Sequence, residues 1–421
     1  MDSYAHPAAE PHGGGAPEIL FVADSDSYLK WAIRRMEDVP PEWTAELVVV
    51  RNAVTPSPEQ QLAAIDGRLD PAAVNTVTIG QLAERLRARP PGVLFLACRG
   101  PLIETLLLDE LRGSSAAPVI VAGIPGIWMP PTELGVDRRA AVDMMVVHSE
   151  HERELLRPML PRRRLRHVAL ASLLAKDASV GSTERPCVLF APQALVPRTL
   201  RERQDLLQAL IDTAVAHPAL DVVIKLRGTE GEAQTHQEFA SFPSLAWALP
   251  AESQPPNLRF AYGPLRQYLG NCRGFVTVSS TAVIEAMQAG VPSLCLDDFG
   301  VSEDQINLVF AGSGLFGSLR GLRSLDFRHP DPVWKESNYF HDASADDWVG
   351  RAHTLWRERL AGASVTVPGR RGVRERVRGM RARAIALGPE DRMVRRVVWR
   401  ATQWVRRAWR RAESWGKRAW R

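Results

Sequence analysis

The sequence predicts an α/β protein made of two consecutive doubly wound halves, each a parallel sheet with helices on both faces. Three observations predict it. Short, continuously apolar runs recur along the chain, and segments of helical length and period separate most of them. One stretch rich in small and polar residues, "ASLLAKDASVGSTERP" (171–186), divides the series in two. Unbroken apolar strands belong to sheets buried on both faces, and alternation with helices belongs to parallel βαβ units.

Taken in order, residues 1–17 have neither the basic nor the apolar segment of a secretory signal and read as a disordered tail. The first half spans 18–180. Its strands are expected at EILFVAD (18–24), ELVVVR (46–51), TVTIG (76–80), GVLFLAC (92–98), PVIVAGI (118–124) and DMMVVHS (143–149). The second half spans 186–345, with strands at PCVLFAP (186–192), DVVIKL (221–226), LRFAYG (258–263), GFVTVS (274–279) and PSLCLDD (292–298). Between its first two strands, "RTLRERQDLLQALIDTAVAHP" is a strongly amphipathic helix. In such sheets ligands bind beyond the carboxyl ends of the strands, so two facing halves place a cleft between them.

Composition bounds the class. The chain has 421 residues, 45% of them hydrophobic and 24% charged, as in an ordinary soluble protein. No apolar run reaches membrane-spanning length. Cys98, Cys187, Cys272 and Cys295 form no C-x-x-C and have no His at ligand spacing, so they read as buried thiols in a reducing compartment. Charge is unevenly spread. Residues 389–421 hold eleven Arg or Lys against three Asp or Glu, a net of +8, whereas the whole chain is +5. Residues 1–388 are therefore mildly acidic, and the basic character belongs to the end of the chain. Only five residues are Lys, which makes each one worth attention.

The most informative stretch is "GFVTVSSTAVIEAMQAGVPSLCLDD" (274–298). A strand runs into Ser279, Ser280 and Thr281, then a short helix that Gly290 and Pro292 end. One hydroxyl suffices to cap a helix, and Glu285 stands at the wrong spacing to close a capping box. Free amides at such a corner favour a phosphate, with the hydroxyls as further donors and Glu285 placed for a ribose. Lys225 and Arg227 end the strand before Gly228, candidates for phosphate contacts, although surface charge is the usual fate of Lys. Tyr262 and Gly263 form a turn that could bed a nucleobase, and turn chemistry alone accounts for them equally well.

Strand, S-S-T-A, E-A, G-V-P and strand resembles the donor site of GT-B glycosyltransferases, nearest to capsule-type Kdo and sialic-acid transferases and CDP-glycerol transferases. "DMMVVHSEHERELL" (143–156) is similar to the late N-terminal strand and helix of that superfamily. The resemblance implies two facing Rossmann-like domains, with the acceptor held by 18–180 and the donor by 186–345. It further implies that "ADDWVGRAHTLWRERL" (345–360) opens a helix, taken as 346–366, that crosses back onto the first half. By it, Ser279, Ser280 and Thr281 would hold the nucleotide phosphate and Glu285 the ribose. Several of those families have H-P where this chain has "KLRG", so the identity of the nucleotide does not carry over. No cofactor beyond the nucleotide-sugar co-substrate and no metal is implied.

In the first half, "FVADSDSYLKW" places Asp24 and Asp26 at the carboxyl end of the first strand. Glycosyl transfer with inversion needs a base beside the attacking hydroxyl, and either carboxylate could serve. Both could equally cap the helix that follows. "GIPGIWMPP" offers Gly126 and Trp128 as an acceptor groove or as an ordinary turn, and His148 is a second candidate base.

The segment 367–421 reads as a basic, Trp- and Arg-rich tail. In 389–421, Trp404, Trp409, Trp415 and Trp420 share an apolar arc with several Val and Ala at 100° per residue. Arg406, Arg410 and other basic residues fill the opposite side. This is the pattern of a helix lying in an anionic membrane interface. A helix packed on the protein's own surface is the plainer alternative, and nucleic acid has no use for the tryptophan stripe. Together these readings predict a bacterial, cytoplasmic glycosyltransferase. It would sit peripherally on the inner face of the plasma membrane, with a glycan or lipid-linked acceptor of the cell envelope. A sugar-nucleotide epimerase and a non-catalytic scaffold are the alternatives.

Overall fold

The computed structural model describes residues 15–394 apart from 115–117, 162–163, 175–179, 227–238, 364–365, 371, 389–390 and 392. The first half begins β1 (Glu18–Ala23), α1 (Asp26–Met36), β2 (Thr44–Val50), α2 (Pro58–Ile65), β3 (Asn75–Val77) and α3 (Ile79–Ala88). It continues β4 (Val93–Ala97), α4 (Gly100–Thr105), β5 (Val119–Gly123), α5 (Glu133–Asp137), β6 (Met144–Val147), α6 (Glu150–Leu156) and β7 (His167–Leu170). The second half begins β8 (Cys187–Phe190), α7 (Leu200–Ala216), β9 (Asp221–Lys225), α8 (Phe242–Trp247) and β10 (Leu258–Ala261). Next come β11 (Cys272–Thr277), α9 (Ala282–Gln288), β12 (Ser293–Leu296), β13 (Phe316–Gly317), α10 (Leu319–Arg323) and α11 (Pro332–Ser337). Two helices follow, α12 (Trp348–Leu360) and α13 (Gly372–Leu387).

Both sheets are parallel and share one winding. Their orders are β3-β2-β1-β4-β5-β6-β7 and β10-β9-β8-β11-β12-β13. In each, the chain reverses its direction of travel between the first and fourth strands, which opens a crevice at their carboxyl ends. Strands β1, β4, β5 and β8 are buried almost along their whole length, which is why their sequences run apolar without alternation. Local chemistry starts the helices. Thr199 accepts from the Glu202 amide while the Glu202 carboxylate returns to the Thr199 amide, a reciprocal cap of about 1 kcal/mol for α7.

Some elements differ from the sequence reading. Strand β3 stops at Val77 because Thr78 caps α3, taking Ile79 and Gly80 into the helix. Strands β7 and β13 complete the two sheets, with four and two residues. Cys187 and Cys272, distant in sequence, are register partners on β8 and β11.

The end of the chain returns to the first half. On α12, Trp348 packs on Phe95 with ring centroids 5.1 Å apart, and its indole N–H donates to Asp38 at 2.9 Å. The described residues of 367–388, which the sequence reading placed at the start of the membrane tail, pack on the first half. Val367, Ala386 and Leu387 join its core, and Ala382 is buried beside them. The acids of "ETLLLDEL" supply the counter-charge: Arg370 meets Glu104 at 2.8 Å and Asp109 at 2.7 Å, and Arg383 meets Glu110 at 2.6 Å. Trp404, Trp409, Trp415, Trp420, Arg406 and Arg410 lie outside the described residues. Among the described residues, no helix is long and apolar enough to cross a membrane.

Candidate functional site

The first wall of the cleft is the turn from β1 into α1, at the crevice between β1 and β4. Asp24 is fully buried there. One of its oxygens accepts from the Arg99 side chain at 2.8 Å and the other from the Arg99 amide at 3.2 Å. The same guanidinium reaches Asn52 at 2.9 Å, and the Asn52 amide donates to the Asp24 carbonyl at 2.7 Å. Burial pushes the Asp24 carboxyl up and Arg99 pulls it back. This arrangement fixes the turn and leaves neither oxygen open to a substrate. Asp26, the first residue of α1, is different. It pairs with Lys30 one turn on, at 2.7 Å, and both side chains reach solvent. Between the two acids, Ser25 occupies the N-cap position without capping. Its hydroxyl is buried and has no partner among the described residues.

The second wall is built by β9, β11 and α9. Lys225 closes β9 only 8% exposed, its ammonium donating to the Leu226 carbonyl at 2.7 Å. Burial lowers its pKa to about 8, with Glu285 opposing the shift and Lys30 adding to it. Glu285 on α9 is reached by solvent yet sits deep in the concave wall. That surrounding protein raises its pKa, against the pull of Lys225, Arg266 and Lys30. Lys30 therefore belongs to both walls: bonded to Asp26 on one, within electrostatic reach of Lys225 and Glu285 on the other.

The hydroxyl corner is put to local use more than the sequence suggested. The Ser279 hydroxyl donates to the Ile306 carbonyl, and the Ser280 hydroxyl accepts from the Ala282 amide at 3.3 Å. Thr281, at the N-cap of α9, makes no capping bond. It meets the first half instead: a Cβ placed on Gly126 would stand 3.1 Å from the Thr281 hydroxyl oxygen. The halves touch again where Arg266 bonds Asp66 at 2.7 Å and where Tyr339 donates to the buried Glu152 at 2.8 Å.

The structure thus brings Asp26, Gly126, Lys225, Thr281 and Glu285 to one cleft. Tyr262 is exposed after β10, and Gly263 adopts φ +84°, a turn that needs a glycine. Arg227 lies outside the described residues. Trp128 is half-buried, beneath the Arg139 guanidinium at 5.8 Å and packed on its own half's core, so little of the ring is free to stack a sugar. His148 is buried: Trp31 donates to its Nε2 at 3.0 Å and its Nδ1 lies 2.7 Å from the Ala171 carbonyl. Burial drops its pKa to about 3, which keeps the ring neutral and leaves it no route to a substrate. Sequence reasoning missed Lys30, Ser25, Arg99 and Arg266. The spacing of Lys30 from Asp26, one helical turn in a chain with five Lys, was the available signal.

Comparisons with known proteins agree with this architecture. The profile of the family described as "Putative glycosyltransferase (DUF6716)" matches residues 19–355. No curated protein sequence matches. Among solved structures, a "putative UDP-N-acetylglucosamine 2-epimerase" from Listeria monocytogenes is similar at 11% identity and TM-score 0.51, over 86% of this chain and 100% of that one. A UDP-GlcNAc 2-epimerase from Neisseria meningitidis, bound to UDP-GlcNAc, has 11% identity and TM-score 0.49, over 82% and 99%. A lipopolysaccharide outer core galactosyltransferase, WaaB in its apo form, has 11% identity and TM-score 0.42, over 82% of this chain and 99% of that one. At such identities the likeness is one of fold, the two-domain GT-B-like arrangement.

Proposed function

Since the chain belongs to the family described as putative glycosyltransferases, we propose that it moves a sugar from a nucleotide-sugar donor to a lipid-linked or cell-envelope polysaccharide acceptor. The reaction would take place at the cytoplasmic face of the membrane. The observation that carries this reading is the pairing of unlike walls across one cleft. Lys225 and Glu285 stand on the second half, and the Asp26–Lys30 pair faces them from the first.

In this mechanism the donor phosphate lies against Lys225 and Lys30, with Glu285 on the ribose. Bound phosphate draws Lys30 from Asp26, and the freed carboxylate takes the proton of the acceptor hydroxyl. The acceptor oxygen bonds the anomeric carbon as the bond from that carbon to the phosphate oxygen breaks. The nucleotide leaves with the electron pair, its charge held by the two ammonium groups. Preorganised cations at the leaving group supply much of the rate, and no divalent ion is required by the scheme. Asp24 holds the turn that presents Asp26.

The test is thermal stability of the full chain with CMP, CDP, UDP, GDP or ADP at millimolar concentration. A ligand at 100 times its Kd stabilises by about 2.7 kcal/mol. One nucleotide should stabilise the wild type and fail to stabilise Lys225→Ala and Glu285→Ala. No stabilisation by any of them removes the donor site and favours a non-catalytic scaffold. The fold likeness to an epimerase keeps one second reading open, rearrangement of a sugar nucleotide, in which a binding nucleotide-sugar is isomerised without an acceptor.

A further inference from the structure

We infer that the outward face of α13 is a docking surface for an anionic lipid membrane, so that membrane contact begins on the folded body of the protein. The inference deepens the membrane-facing part of the proposed function and rests on it only for the identity of the acceptor. Helix α13 has two unlike sides. Its inner side buries Gly379, Ala382, Ala386 and Leu387 against the first half. On its outer side Val373, Val377 and Met380 are 76%, 41% and 43% exposed, at the i, i+4, i+7 spacing of one helical stripe.

The arginines divide in the same way. Arg378 and Arg383 pair with acids of the first half, Arg378 with the buried Glu104 at 3.2 Å. Arg374 and Arg381, both exposed, line one edge of the apolar stripe and make no ion pair with any described residue. At 100° per residue Glu375, itself exposed, stands on the opposite side of the helix from this stripe, so the charge beside the stripe is positive. A single stripe of this width is far smaller than the roughly 800 Å² per partner that a stable protein interface buries. Apolar side chains edged by arginine match the boundary between anionic headgroups and acyl chains.

The position of the helix gives the surface its use. Arg99 donates to the Ala386 carbonyl at the end of α13, at 3.1 Å, and with the same side chain holds Asp24. A Cβ on Gly388 would stand 3.0 Å from that of Ala53, just past the carboxyl end of β2. The helix is thus seated beside the turn that presents Asp26, and a membrane on its outer face lies next to the acceptor side of the cleft.

The test is co-sedimentation of the full chain with phosphatidylglycerol–phosphatidylcholine vesicles and with phosphatidylcholine alone. The wild type should partition onto the anionic vesicles only. Arg374→Glu/Arg381→Glu should lower that partition by about tenfold or more, and Val377→Glu/Met380→Glu should lower it with thermal stability unchanged. Unchanged partition in both pairs, with loss in Trp404→Ala/Trp409→Ala, overturns the inference. So does a wild type that dimerises in sedimentation velocity and becomes monomeric in Val377→Glu. Vesicle binding without any nucleotide stabilisation would instead uphold this surface while removing the donor site.

Discussion

Lys225 offers the sharpest test of the cleft chemistry, because its charge is poised to change in an accessible range. Its pKa is lowered to about 8 by burial. At pH 7 about nine in ten molecules carry the ammonium, and at pH 9 about one in ten. If that ammonium holds the donor phosphate, nucleotide affinity falls about tenfold per pH unit above 8, or about 1.4 kcal/mol each. Isothermal titration of the stabilising nucleotide from pH 6.5 to 9.5 at low salt reads this directly. Lys225→Arg keeps its charge throughout and should flatten the profile, whatever its affinity. Linkage gives an independent check of sign. Between pH 8 and the unfolded value near 10.5, the unfolded chain binds the extra proton, so stability rises with pH through that window. Lys225→Met should accordingly be more stable at pH 7, by about 1 kcal/mol or 2–4 °C, while losing the nucleotide. A flat wild-type profile, or the same slope in Lys225→Arg, would refute the assignment.

The two acids after β1 should separate by experiment. Asp24→Ala strands the Arg99 guanidinium in the interior and should cost about 3–5 kcal/mol of stability, read by thermal unfolding. Asp26→Asn should leave unfolding nearly unchanged and slow turnover by about 10²–10⁴ at saturating donor, the contribution of a general base. Gly126→Val tests the contact between the halves. Its side chain crowds Thr281 and strains a backbone at φ +159°, so nucleotide stabilisation should weaken and the melting temperature of the free protein should fall with it.

The two-sheet architecture was legible because burial on both faces writes itself into sequence as unbroken apolar runs. It failed where an element is too short to show a run. β13 has two residues, and β7 lies against a linker whose small residues hide it. Residues of the candidate cleft could be singled out at a strand end, as for Lys225, or in the helix that follows one, as for Asp26 and Glu285. What could not be read was which polar groups the fold would use up. Asp24 and Asp26 look alike in "ADSDS", yet Arg99, 75 residues away, claims one and leaves the other. Ser279 likewise gives its hydroxyl to Ile306, and only the return of that loop decides it. The seating of α13 on the first half was hidden for a related reason: its acidic partners sit more than 260 residues earlier, out of reach of any local pattern.

The unequal walls also bear on the choice between moving a sugar and rearranging one. Rearrangement handles a single soluble substrate, and nothing in it calls for a positively charged apolar helix face beside the first half. Transfer needs a second substrate to arrive opposite the donor phosphate. The cations Lys225 and Arg266 stand on the second half, while the solvent-reaching carboxylate Asp26 and the unpartnered hydroxyl of Ser25 stand on the first. Through Arg99, that same turn is bonded to the end of α13. A lipid-borne acceptor held on the α13 side would meet Asp26 before it met the donor. Loss of the α13 face should therefore depress transfer to a lipid acceptor and spare turnover of a soluble one, a contrast that an isomerising enzyme has no means of producing.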